Sequence, residues 1–99
     1  MRMYRQGDLL IAEIEELPAG LKQKDKVLAY GEATGHKHQF LSEQALVFCD
    51  DKQQQFLKLS QECELVHEEH ETIAIPAGVY RVVQQREYDF LEGIRQVAD

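Results

Sequence analysis

Residues 67–88 read HEEHETIAIPAGVYRVVQQREY, and the pattern within this stretch decides the fold. Thr72 to Ile75 is a short apolar run rich in β-branched residues, which predicts a strand. Pro76-Ala77-Gly78 then turns the chain, because proline removes a donor and glycine accepts unusual backbone angles. Val79 to Tyr88 follows as the longest predicted strand. Just upstream, Glu62 to His67 alternates Cys63, Leu65 and His67 against Glu62, Glu64 and Val66, the period of a half-buried strand. On that parity His67 points inward.

The same signals recur outward from this centre. Ala45 to Cys49 is a compact apolar strand. Asp50-Asp51-Lys52 is a hairpin turn, and Gln53 to Leu59 pairs back as its partner. His36 to Leu41 and Val27 to Ala33 read as strands separated by Thr34-Gly35. Leu9 to Ile14, after Gly7-Asp8, is a near-continuous apolar run ended by Leu17-Pro18-Ala19-Gly20. Lys22 to Lys26 reads as a solvated loop, Ser42-Glu43-Gln44 as a helical turn or a simple connection, and Ile94 to Val97 as a last strand. No segment sustains a helical period for three turns. The expectation is an all-β fold: one domain over residues 1–99, a barrel or sandwich of about seven or eight short, mainly antiparallel strands.

Eleven Lys and Arg stand against eighteen Asp and Glu, a formal charge of −7. Such a surface argues against long nucleic acid, which is held by clustered basic charge, but leaves room for a small anionic ligand in a local pocket. No run reaches signal-peptide or membrane-spanning length, so a cytoplasmic protein without a membrane partner is expected. Cys49 and Cys63 are then expected to be reduced.

All four histidines fall in two clusters. His36 and His38 lie at alternate strand positions, so they project from one face with Phe40, about 7 Å apart along the strand. That spacing suits two metal ligands, or an acid and a base flanking one phosphorus. His67 and His70, set among Glu68, Glu69 and Glu71, mark a strand end plus a turn. At the end of the long strand Arg86 and Tyr88 share a face, where a guanidinium and a phenol could address one ligand. Lys37 alternates away from its flanking histidines and is a further candidate for binding substrate.

Two family resemblances attach to these residues. Gly31, His36, His38 and Glu43, with Pro76-Ala77-Gly78, resemble the two motifs of the cupins, although the histidine expected after the second motif is replaced by Val79-Tyr80-Arg81-Val82. More broadly, Thr34-Gly35-His36-Lys37-His38, His67-Glu68-Glu69-His70, Pro76-Ala77-Gly78-Val79-Tyr80 and Gln85-Arg86-Glu87-Tyr88 resemble a family of short prokaryotic and phage proteins. Some similar proteins are β-barrel ring nucleases, which degrade the cyclic oligoadenylate messengers of type III CRISPR antiviral defence. That resemblance implies a histidine-rich pocket cleaving a small RNA-like ring.

The leading expectation is therefore a metal-independent phosphodiesterase acting on cyclic oligoadenylate or short RNA. One histidine from each cluster would serve as base and acid, and Arg86 and Tyr88 would stabilise phosphate charge. It needs no cofactor. The alternatives are a cupin-like site in which His36, His38, His67 and His70 hold a divalent transition metal, with Glu68 or Glu69 orienting the ligands, and a non-catalytic module that binds a ligand or partner. A homodimer would suit so small a core.

Overall fold

The computed structural model describes residues 1–30 and 35–85. The predicted strand at Ile94–Val97, together with Gly31, Arg86 and Tyr88, lies outside them. Among the described residues every element is a strand, ten in all, rather than the seven or eight expected. The strands are β1 Met3–Gln6, β2 Leu9–Glu13, β3 Lys22–Lys24, β4 Val27–Tyr30, β5 Lys37–Phe40, β6 Ala45–Cys49, β7 Gln55–Leu59, β8 Cys63–Val66, β9 Ile73–Ile75 and β10 Gly78–Gln84. All pairings are antiparallel. No helix among the described residues is long and apolar enough to cross a membrane.

Among the described residues the strands form two sheets and an open sandwich, with no closed barrel. The first sheet runs β1-β2-β10-β7-β6-β3, the second β4-β5-β8-β9. The chain passes from one sheet to the other at Asp25-Lys26, after β5, after β7 and at Pro76-Ala77. Alternate residues of β2, β6, β8 and β10 turn inward, as a period of two requires. Leu9 and Ile11, Ala45 and Val47, Cys63 and Leu65, and Tyr80 and Val82 meet there with Phe40, Leu57 and Ile75. Tyr80 is the largest fully buried side chain, and burial pushes its phenol above the usual range. It crosses the core to donate its hydroxyl hydrogen to the Pro76 carbonyl at 2.7 Å. Its ring also meets Tyr4 edge to face at 6.1 Å, a favoured aromatic geometry. The long strand is thereby anchored against the turn that introduces it.

Two strands depart from the sequence reading. Lys22–Lys24 is not a loop but the outer strand of the first sheet, pairing Gln23 with Phe48. Its charge pattern suits an exposed edge, where lysines discourage further pairing. Met3–Gln6, for which no strand is predicted, forms the opposite edge and a tight hairpin with β2 through Gly7. The Asp50 turn is as expected: its carboxylate accepts the backbone N–H groups of Lys52 and Gln54, both at 2.9 Å. Both cysteines are free, Cys63 buried and Cys49 half-buried.

Between β4 and β5 the register shifts at Val27/Ala29. The bulge leaves Leu28 without a facing residue and sits beside His38, which pairs with Ala29. Bulges of this kind re-aim side chains next to sites.

Candidate functional site

Three chain segments meet at one end of the seam between the sheets. The first sheet contributes the β1–β2 turn, Gln6-Gly7-Asp8; the second contributes His36 and His38 at the start of β5, and the β8–β9 loop, His67 to His70. All four histidines converge there. The His38 ring centre lies 4.3 Å from that of His67 and 5.8 Å from that of His70. His67 lies 4.6 Å from His70 and 5.8 Å from His36. They line a cavity of about 220 Å³ together with Asp8, Tyr30, Glu69 and Gln84.

His38 is the buried member, 5% exposed, because its strand parity is that of Phe40. Its Nδ1 lies 2.8 Å from Gln6 Oε1. Gln6 is itself buried, and its Nε2 donates to two backbone carbonyls, Leu65 and Glu71, each at 2.8 Å. An amide nitrogen has two hydrogens, and both are used. The amide therefore cannot turn over, its oxygen faces His38, and Nδ1 of His38 carries a hydrogen. In the neutral ring the lone pair is then on Nε2, 3.5 Å from Asp8 Oδ1. Asp8 is held in turn, its other oxygen accepting Gln84 Nε2 at 3.0 Å and its carbonyl accepting the Gln85 N–H at 2.8 Å. Burial first, then the neighbouring His67, holds the His38 pKa below its ordinary 6.5, against the opposing pull of Asp8. His38 is thus biased toward its neutral form, with the Nε2 lone pair on the side of Asp8.

The second cluster is organised differently. His67 Nδ1 accepts the backbone N–H groups of Glu69 at 3.0 Å and His70 at 3.3 Å, so it closes the turn and its neutral ring carries hydrogen on Nε2. His36 Nδ1 lies 3.2 Å from Glu69 Oε1, which orients that ring. Glu68 tethers the loop to β5 by accepting the Lys37 backbone N–H at 2.8 Å, and this bond is the main reason its carboxyl titrates below the usual range. His70 packs over Gly7, whose φ is +59°. A Cβ there would stand 2.6 Å from His70 Nε2 and 3.3 Å from His38 Cε1, so glycine is required both by the backbone and by the approach.

The structure brings together His36, His38, His67 and His70. Lys37 is joined to the loop by its backbone, and its side chain is not part of the pocket wall. Arg86 and Tyr88 lie outside the described residues, as does Gly31. Glu43 is exposed in the β5–β6 connection. Gln6, Gly7, Asp8, Tyr30 and Gln84 are site residues that the sequence reading passed over. A polar Gln6 at the inward parity of Tyr4 was the available signal, and it becomes visible only once β1 is recognised as a strand. Among the described residues no three His, Cys, Asp or Glu side chains are arranged to hold a metal ion. Nδ1 of His38 and of His67 are already taken by protein partners.

The model of a domain family of unknown function, DUF8820, matches residues 5–85, so the chain belongs to that family. No curated protein and no solved structure matches it significantly.

Proposed function

We propose that this member of the DUF8820 family is a metal-independent phosphodiesterase acting on small RNA-type substrates, short oligonucleotides or cyclic oligoadenylates. The observation that carries the reading is the Gln6–His38 pair, a buried imidazole with fixed tautomer and lowered pKa on the wall of a four-histidine pocket. A general base works best when it is neutral at the working pH and its lone pair is aimed. His38 Nε2 takes the proton of a ribose 2′-hydroxyl. The 2′-oxygen then bonds to phosphorus and the bond from phosphorus to the 5′-oxygen breaks. A histidine of the other cluster, His70, protonates the departing oxygen; its ring lies parallel to that of His38 within 12°, and it is exposed to incoming substrate. The products are a 2′,3′-cyclic phosphate and a free 5′-hydroxyl.

Asp8 and Glu69 set negative charge in the wall, which His38 and His36 face directly. An anionic substrate therefore needs added positive charge, and in this reading Arg86 supplies it with Tyr88.

The test is incubation of pure protein with excess EDTA against short RNA and cyclic oligoadenylates of several ring sizes, with products identified by mass spectrometry. The expected result is 2′,3′-cyclic phosphate ends, with turnover falling on the order of 100-fold or more in His38→Ala. Cleavage only after a divalent metal is restored would transfer the site to the metal alternative. Intact substrate throughout, or full activity in His38→Ala, would overturn catalysis and leave a binding module.

A further inference from the structure

A second cavity, of about 270 Å³, shares Tyr30 with the histidine pocket as a common wall. It is built by the bulge in β4. The unpaired carbonyl of Leu28 accepts Gln55 Nε2 at 2.7 Å, a bond that ties the two sheets together. That bond fixes the Gln55 amide, and its oxygen is left buried with no hydrogen-bond partner among the described residues. A buried acceptor without a donor is a standing cost that a bound group could remove. The cation in this wall cannot remove it, because Lys24 Nζ is committed to the Val27 carbonyl at 2.6 Å and to Asp25 at 3.0 Å. What Gln55 Oε1 lacks, among the described residues, is a donor. Beside it Tyr30 is 59% exposed, a flat aromatic face of the kind on which nucleobases stack.

We propose that this cavity is a nucleobase subsite selective for a base with an exocyclic amino group. The amino N–H donates to Gln55 Oε1, the ring lies against Tyr30, and the adjoining phosphodiester reaches the histidines on the other side of that residue. The proposal rests on the phosphodiesterase reading and names the base specificity of the same site.

Nucleosides test it, since they carry no bond to cleave and bind or fail to bind independently of the cleavage assay. Backbone amide resonances would be followed by NMR while adenosine, inosine, cytidine and uridine are titrated in turn. Within each pair one amino group is replaced by a carbonyl, which would oppose Gln55 Oε1 with a second acceptor. Expected are shifts at Leu28, Ala29, Cys49 and Gln55 with adenosine and cytidine, and affinities for inosine and uridine about tenfold or more weaker. Tyr30→Ala, which removes an exposed side chain, should weaken adenosine while leaving the spectrum folded. Equal binding within each pair, shifts confined to the histidine pocket, or no binding of any nucleoside would overturn it.

Discussion

Replacing Gln6 by methionine keeps the length and bulk of the side chain and removes its amide. Three hydrogen bonds disappear: two donated to the carbonyls of Leu65 and Glu71, and one accepted from His38. The partners stay behind in a region where Gln6 is only 3% exposed, so water does not readily replace the amide. At about 1 kcal/mol for each net hydrogen bond, and more where a buried partner is left unpaired, the loss comes to about 3 kcal/mol. That is a large share of the ordinary stability of a small domain. Urea unfolding of Gln6→Met should show a lower midpoint at unchanged slope, and the free-energy difference follows from the two. A second measurement isolates the tautomer. Imidazole nitrogen chemical shifts of His38 should report a protonated Nδ1 in the parent protein and a mixture in Gln6→Met. A destabilisation below about 1 kcal/mol, or an unchanged His38 signature, would refute the clamp.

Other expectations follow from single contacts. His38 has a lowered pKa in the folded protein, so below 6.5 the unfolded chain binds the extra proton first; stability should be full above that pH and fall as the pH drops through the folded value. Unfolding curves across this range, compared with His38→Phe, should show the acid-side slope reduced in the variant. Gly7→Ala should cost about 1–2 kcal/mol through its left-handed backbone. It should also displace the His70 ring that a Cβ would strike, visible as a shifted His70 imidazole signal; an unmoved ring would contradict the packing. Tyr80→Phe deletes the bond to the Pro76 carbonyl and should lower stability by about 1 kcal/mol in thermal unfolding, with turnover of the candidate substrate unchanged.

Much of the fold is legible because strand signals are local. The alternation of Cys63 and Leu65, the apolar run from Ala45, the Asp50 turn and the Pro76-Ala77-Gly78 corner each reveal themselves within a few residues. Edge strands are less legible. Met1 and Met3 are the apolar residues of the first segment, yet both are exposed while Tyr4 and Gln6 turn inward, so hydrophobicity points to the wrong face of β1. At Lys22–Lys24 charge suggests a loop, because an edge strand is satisfied by one neighbour and can leave its side chains in water.

The sequence by itself determined that the protein is all-β and that its histidines lie in two pairs, since both are properties of near neighbours along the chain. Strand parity also placed His38 on the face of Phe40, which the structure buries, and predicted an inward His67, which lies half-buried in the loop just beyond β8. Only the tertiary structure decided that the pairs share one pocket, and that the roles within it are unequal. His38 receives its tautomer from a residue 32 positions away, and Gln6 is fixed by carbonyls 59 and 65 positions away. Such bonds depend on how two sheets stack, and nothing in the local spacing of the histidines encodes them. The same holds for the Gln55 oxygen, unpartnered among the described residues, whose amide is held by a carbonyl that a bulge in one sheet frees opposite a strand of the other.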